Sequence, residues 1–252
     1  MTLIEILPTV WVSRDASLDV DIYWGRNIRV YGRVRISSGT TIGDFVTIGH
    51  PSPEEFAAAK AMPPASGVAS PFRSLDLLDE FVLYPTEIGP DSTIRGPTTI
   101  YSGVSVGAGF DCAHNVTIRE RCKIGDGCYV KVNTEFRKDV TVGDGTTLAG
   151  TIGDRSTIGD DVTSFGNLIH KYNRVRRGVP EIGPSLRKGS FVGRGASVIG
   201  PVIVGEFAYV AAGTIVTKNV PAGSLVMGTS GAIHHHRSPL SGPRRYTGSR
   251  HR

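Results

Sequence analysis

Three histidines, His50, His114 and His170, stand in the body of the chain, where their side chains could do chemistry near neutral pH. An imidazole has an ordinary pKa of about 6.5, so it can take up a proton from a nucleophile. The three cysteines of the chain do not have the CxxC spacing of a zinc site, and no two histidines have the HxxxH spacing. These residues therefore predict proton transfer by histidine, and no metal ion is expected.

A six-residue repeat must position these histidines. Eleven apolar residues recur at every sixth position from Ile88 to Leu148. A second ladder of mostly small or β-branched residues lies four positions further on, from Ser92 to Thr146. Since helices and strands have periods of 3.6 and 2, a period of six fits neither an amphipathic helix nor a simple hairpin.

The same phase occurs at both ends of the chain. It runs from Ile6 to Ile48, resumes at Ile152 after a two-residue slip, and continues from Leu186 to Val216. Two inward side chains per hexapeptide predict a coil with three sides, of about 18 residues per turn, whose turns stack as parallel strands roughly 4.8 Å apart. We therefore expect an all-β protein in which residues 1–233 form one β-helix.

Two segments interrupt the ladder and must leave the coil as loops, about 51–83 and 170–185. The first contains EEFAAAK, which predicts a short helix. Long loops on a rigid scaffold often carry binding or catalysis, and the alternatives are disorder or packing between subunits. Residues 234–252 are predicted to form a flexible basic tail.

The last coils carry the most specific pattern. The segment PSLRKGSFVGRGASVIGPVIVGEFAYVAAGTIVTKNVPAGSLVMG, residues 184–228, resembles the acyl-CoA-binding coils of hexapeptide-repeat acyltransferases, which are left-handed β-helices. Within that superfamily the chain is most similar to N-acetyltransferases of nucleotide-linked amino sugars. AHNVTIRERCKIGDGCYV at 113–130 and IHKYN at 169–173 occur there in the same order. One departure is VMGTSG at 226–231, which lacks the family's usual Pro-Ala turn.

The resemblance implies a histidine general base, and two residues qualify. His114 lies two positions after an inward ladder residue and so should face outward, in an Ala-His-Asn context similar to that of several sugar acyltransferases. The alternative for His114 is a residue of a trimer interface, bonded by Glu120 or Asp111. His170 opens the basic loop, and its alternative is a solvated loop histidine. His50 is expected to have no catalytic role.

The resemblance also implies a surface for acyl-CoA. Small residues would lie against the pantetheine arm, and nearby cations would bind the phosphates. The expected cofactor-binding residues are Arg187, Lys188, Arg194, Ala196, Ala211, Ala212, Gly213 and Lys218.

The predicted function is transfer of an acyl group, acetyl above all, from acetyl-CoA to an amine or hydroxyl of a sugar, with a nucleotide-linked amino sugar as the favoured acceptor. The chain would act as a cytoplasmic homotrimer without nucleic acid or membrane partners. Two alternatives remain, a γ-type carbonic anhydrase and a non-catalytic scaffold. The net charge of +5 supports phosphorylated ligands, because loop 170–190 and tail 237–252 each carry +5 while the remainder is −5.

Overall fold

The computed structural model describes residues 3–61, 79–170, 181–228 and 231–234. These residues form one helix, α1 (Pro53–Ala61), and 31 short strands in three sheets. Sheet A consists, in spatial order, of β1 (Leu3–Leu7), β2 (Val10–Ser13), β5 (Ile28–Val30), β8 (Val46–His50), β11 (Thr98–Tyr101), β14 (Val116–Ile118), β17 (Glu135–Phe136), β20 (Thr151–Ile152), β23 (Asn167–Ile169), β26 (Ser197–Ile199) and β29 (Ile215–Val216).

The other two sheets are built in the same way. Sheet B consists of β3 (Ser17–Leu18), β6 (Val34–Ile36), β9 (Thr86–Ile88), β12 (Ser105–Val106), β15 (Lys123–Ile124), β18 (Thr141–Val142), β21 (Thr157–Ile158), β24 (Ser185–Leu186) and β27 (Ile203–Val204). Sheet C consists of β4 (Tyr23–Trp24), β7 (Thr41–Ile42), β10 (Thr93–Ile94), β13 (Asp111–Cys112), β16 (Tyr129–Val130), β19 (Thr147–Leu148), β22 (Thr163–Ser164), β25 (Phe191–Val192), β28 (Tyr209–Val210), β30 (Leu225–Met227) and β31 (Ala232–His234).

The chain visits sheets A, B and C in turn and so winds as a three-sided coil of about ten turns. Apart from the terminal strands β1 and β31, successive strands within each sheet pair in parallel one turn apart, as Cys112 of β13 does with Val130 of β16. The predicted fold class, an all-β parallel β-helix of hexapeptide repeats, is confirmed. Among the described residues, no helix has the length and apolar character needed to cross a membrane.

Both ladders lie inside the coil. Every residue of the central ladder from Ile88 to Leu148 is at most 4% exposed, and every residue of the second ladder from Ser92 to Thr146 is at most 2% exposed. The cysteines occupy inward positions as predicted, and burial raises the pKa of Cys112 and Cys122 to about 12. These thiols therefore pack as small apolar groups.

The structure corrects the prediction that the first ladder residue, Ile6, faces inward. Ile6 is 37% exposed, because β1 turns back and pairs antiparallel with β2 instead of forming a side of the coil. At the other end, β31 pairs antiparallel with β30. An antiparallel strand thus closes one side of the described coil at each end, in sheet A at the first turn and in sheet C at the last.

Both interruptions leave the coil at the same place, between a strand of sheet A and the next strand of sheet B. The first follows β8 and the second follows β23. The helix predicted in the first is present as α1, and Ser52 and Glu55 cap it reciprocally at 2.7 and 3.2 Å. Residues 171–180 and 235–252 lie outside the described residues, so the predictions for the basic loop and tail stay predictions.

Candidate active site

The corners of the coil form three edges, which we name by the sheets that they join. The CA edge contains the corners after the strands of sheet C, the AB edge those after sheet A, and the BC edge those after sheet B. The predicted residues of the CA edge are His114, Arg194, Ala196, Ala211, Ala212 and Gly213. The AB edge contains His170 and Lys218, and the BC edge contains Arg187 and Lys188. Within one chain the predicted cations therefore lie on three separate edges.

His114 and His170 are separated along the coil as well as around it. The stack Cys112, Val130, Leu148 and Ser164 is present as predicted, so the two histidines lie three turns apart, about 14 Å along the axis. Because they also lie on different edges, one chain cannot bring both to one reacting atom.

His114 is an exposed residue in a well-fixed corner. Its carbonyl accepts the amide of Asn133 one turn later at 3.1 Å. The next residue, Asn115, donates its side-chain amide to the side chain of Asn133 at 2.7 Å. Both asparagines have a φ near +60°, a conformation that asparagine tolerates better than most residues. Amides stacked across two turns thus hold the backbone beneath the imidazole.

The His114 ring has a defined protonation pattern. Its Nδ1 lies 2.5 Å from the carbonyl oxygen of Gly96, one turn earlier. Because a carbonyl only accepts, Nδ1 carries the proton, and in the neutral ring Nε2 keeps its lone pair. The expected alternative partners are engaged elsewhere, since Asp111 pairs with Arg95 and Glu120 pairs with Arg119. This tautomer is the one that a general base requires.

The CA edge recedes beyond His114. Its other corners have three or four residues between strands, as in 113–115 and 193–196, but two have only two, Ala149–Gly150 and Phe165–Gly166. The register confirms the shortening, because Leu148 pairs with Ser164 only 16 positions later. A corner with fewer residues protrudes less. The two short corners therefore form a recess, which we define as residues 149–150 and 165–166, between the His114 turn and the turns of Arg194 and Ala211.

Aromatic and basic groups border the recess. The Lys131 ammonium lies 4.5 Å from the ring centroid of Tyr129 and 5.9 Å from that of Phe165. On the outer face of sheet C, Phe191 and Tyr209 stack with their centroids 4.6 Å apart. The half-buried Ala149 and Gly150 of the recess thus lie with a cation and aromatic faces close by.

Ala196 does not contribute its side chain to this surface. It is fully buried, because it occupies the second inward ladder position before β26. Ala196 therefore forms no part of the exposed surface of this chain, and its predicted contact with the cofactor stays a prediction. Ala212 and Gly213 are exposed at the corner after β28, as the prediction requires.

His170 is enclosed instead of solvated. Its side chain is 12% exposed, with Nε2 2.7 Å from Glu181 Oε2 and Nδ1 3.6 Å from Asp154 Oδ2. Arg155 donates to the carbonyl of Glu181 at 3.1 Å. Each ring nitrogen thus faces a carboxylate oxygen, and neither is presented to an acceptor substrate. His170 thereby ties together the two ends of the second interruption.

The sequence did not point to Asp154 or Glu181, because the former lies 16 positions before His170 and the latter across the loop. Only the coil register and loop closure bring them together. These three residues also form the one group in the described chain whose ligand atoms could hold a metal ion. Since each ring nitrogen already faces its own carboxylate oxygen, contacts within the group can hold it in place without a metal ion.

No family model matches the chain. It is similar to the bifunctional protein GlmU of Stenotrophomonas maltophilia, with 25% identity over 89% of this chain and 39% of that protein. It is also similar to GlmU of Pelobacter propionicus, with 31% identity over 56% of this chain and 37% of that protein. The chain thus spans less than two fifths of the length of these curated relatives.

Solved structures with a similar fold include the UDP-N-acetylglucosamine acyltransferase of Francisella novicida, with a TM-score of 0.47, 16% identity and coverage of 91% of this chain and 68% of that one. Another is the GDP-perosamine N-acetyltransferase of Caulobacter crescentus in complex with CoA and GDP-perosamine, with a TM-score of 0.33, 19% identity and coverage of 64 and 61%. The resemblance to hexapeptide-repeat acyltransferases predicted from the sequence is confirmed.

Proposed function

We propose that the protein is an acyl-CoA-dependent acyltransferase that transfers an acetyl group to an amine or hydroxyl of a sugar, with a nucleotide-linked amino sugar as acceptor. One observation carries the choice of site. His114 presents an exposed imidazole, in the tautomer of a base, on the same edge as the recess and the exposed corner Ala211–Gly213. The similarity to hexapeptide-repeat acyltransferases supports the same reaction.

The reaction places three demands on the chain. The acceptor must lose a proton, the tetrahedral oxyanion needs a hydrogen-bond donor, and the two substrates must be aligned. The acceptor nitrogen or oxygen attacks the thioester carbon while Nε2 of His114 takes its proton. The C–S bond then breaks, and the CoA thiolate takes up a proton as it leaves. A backbone N–H of the CA edge is proposed to hold the oxyanion, and no acyl-enzyme forms.

The recess is proposed to hold the pantetheine arm. A narrow chain with two amides is proposed to lie along the half-buried corner Ala149–Gly150. Arg194, one turn beyond the recess, is placed to meet a phosphate from the same edge. The remaining predicted cations lie on the other two edges of the chain. Their proposed contact with the same cofactor therefore requires a second subunit.

A homotrimer supplies that subunit. Three prisms side by side bury flat faces and form three equivalent clefts between their edges. The outer face of sheet C supports such packing, because the half-buried ring of Phe191 stacks there on the exposed ring of Tyr209. In this arrangement the CA edge of one chain faces an edge of its neighbour, and the cations of two chains can meet one CoA.

The test is release of CoA thiol from acetyl-CoA in the presence of a panel of UDP- and GDP-linked amino sugars. We expect His114→Ala to lower kcat by about 100-fold or more, the usual scale for a general base. His170→Gln serves as the matched control. It replaces the other candidate base, which lies three turns away on a different edge, and it should leave most of kcat in place. Unchanged turnover in His114→Ala, or equal losses in both variants, would refute the assignment of the base.

A γ-type carbonic anhydrase is the less favoured function. It needs three imidazoles around one metal ion. The candidate metal cluster of the described chain contains one imidazole and two carboxylates. CO₂ hydration by the purified protein, lost together with one bound metal ion per chain, would favour this enzyme over an acyltransferase. A non-catalytic scaffold is supported if no acceptor stimulates thiol release.

A further inference from the structure

A pocket of about 310 Å³ opens on the AB edge, where the first interruption leaves the coil. It lies between the end of β8, the neighbouring β11 and the first turns of α1. Its lining residues are His50, Pro51, Pro53, Phe56, Ala57 and Tyr101. Neither the predicted base nor the predicted cofactor-binding residues take part in it.

Aromatic rings form the wall of this pocket. His50 and Tyr101 are paired across β8 and β11, with ring centroids 4.8 Å apart. Tyr31 meets the other side of His50 edge-on at 6.4 Å, and the guanidinium of Arg119 lies 5.6 Å from the Tyr101 ring. One ring per turn, followed by a cation, thus forms a column along the edge.

A buried carboxylate fixes the opposite wall. Glu55 of α1 is 2% exposed and accepts hydrogen bonds from the Ser102 hydroxyl at 2.5 Å and the Leu83 amide at 2.7 Å. Burial alone would raise the pKa of Glu55, but these bonds and those from Ser52 lower it below its ordinary value. The carboxylate is therefore ionised and holds α1 against β11, so the pocket is already formed without a ligand.

Size and polarity narrow the choice of ligand. Small-molecule pockets range from about 300 to 1,000 Å³, so this one holds a single planar ring system and not a whole nucleotide sugar. The Nδ1 of His50 donates to the carbonyl of Pro51 at 2.9 Å. In the neutral ring Nε2 then remains an acceptor, suited to a ring N–H. Burial lowers the pKa of His50, so the ring is neutral at pH 7.

We propose that this pocket binds the base of a nucleoside 5′-phosphate, with Arg119 meeting the phosphate. Arg119 engages Glu120 through Nε and Nη2, at 3.0 and 2.9 Å, which leaves Nη1 for a phosphate oxygen. The assignment rests on the proposed function, since the nucleotide would be that of the acceptor sugar. The alternative source of a base is CoA, but the turn of Arg194 lies five turns beyond Tyr101, about 24 Å along the axis.

The test measures binding to the full chain by calorimetry and saturation-transfer NMR. The probes are UMP, GMP, adenosine 3′,5′-bisphosphate and ribose 5-phosphate. We expect UMP or GMP to bind and ribose 5-phosphate to bind at least tenfold more weakly. Tyr101→Ala should weaken nucleotide binding about tenfold or more, while Tyr101→Phe keeps the ring and the affinity. Circular dichroism checks that both variants fold.

Three results would overturn the proposal. They are equal binding of ribose 5-phosphate and UMP, an unchanged affinity in Tyr101→Ala, and Tyr101-dependent binding that prefers adenosine 3′,5′-bisphosphate. The last would assign the pocket to CoA. Tyr101-dependent binding of UMP or GMP without any acetyl transfer would support the pocket and refute the proposed function. Acetyl transfer with an acceptor KM that is unchanged in Tyr101→Ala would support the proposed function and refute the pocket.

Discussion

Replacing Glu55 by Gln should destabilise the first interruption and loosen the pocket. The Glu55 carboxylate accepts from the amides of Ser52 and Leu83, each at 2.7 Å, and from the Ser102 hydroxyl. The amide of Gln keeps one acceptor oxygen and turns an N–H group toward donors. Since a hydrogen bond to a charged group contributes about 1.5–3 kcal/mol, we expect a loss of about 2–4 kcal/mol.

In a chain of this size, that loss corresponds to a fall in Tm of roughly 4–15 °C. The loss should be local, so amide exchange at Leu83 should accelerate more than exchange within the central coils. Ser102→Ala is the matched control, because it removes one of the same bonds and keeps the charge. A Tm within about 1 °C of the original, with unchanged exchange at Leu83, would refute the reasoning.

The difference in Tm between the original protein and Glu55→Gln should also depend on pH. Because the pKa of Glu55 is lowered in the folded chain, its contribution is present above the ordinary value of about 4.3 and is lost as the pH falls through the folded value. The difference in Tm between the original protein and Glu55→Gln should therefore be full at pH 7 and shrink below about pH 4.3. A difference that grows on acidification would contradict an ionised Glu55.

Three further outcomes follow from the fold and the edges. His170→Gln and Glu181→Gln should each lower Tm, and the double variant should lose less than the sum, because both remove the same contact between Nε2 and Oε2; strict additivity would argue against this contact. Treatment with EDTA should leave acetyl transfer unchanged, whereas loss restored by Zn²⁺ would make Asp154, His170 and Glu181 a metal site. Phe136→Ala, at a fully buried ladder position, should cost about 3–5 kcal/mol in denaturant unfolding, and a cost below about 1 kcal/mol would mean that the core refills.

The repeat predicted the fold because each inward residue is followed by another six positions later, and this spacing is visible in the sequence itself. The ladder from Ile88 to Leu148 is buried throughout, and the slip before Ile152 matches the first shortened corner. The pattern wrongly placed Ile6 inside the coil, because apolar spacing does not distinguish a side of the coil from a strand that pairs antiparallel at its end. EEFAAAK was a sufficient local signal for α1.

The site was less predictable because it depends on contacts between turns. The outward direction of His114 follows from its offset to Cys112, but its bond to the Gly96 carbonyl depends on the corner one turn earlier. The enclosure of His170 depends on where the chain returns after a loop of unpredictable path. The pocket beside His50 could not be foreseen, since its walls come from β8, β11 and α1.

The proposed edges make a prediction about subunit exchange. If the CA edge of one chain and the AB edge of its neighbour form one site, His114 and Tyr101 of a working site belong to different chains. Chains with His114→Ala and chains with Tyr101→Ala, refolded together in equal amounts, should then form sites in which both residues are intact. Random assembly gives about one quarter of such sites in a cyclic trimer, and acetyl transfer with limiting acceptor should recover to about that fraction. Activity that stays at the average of the two separate variants would place the site within one chain.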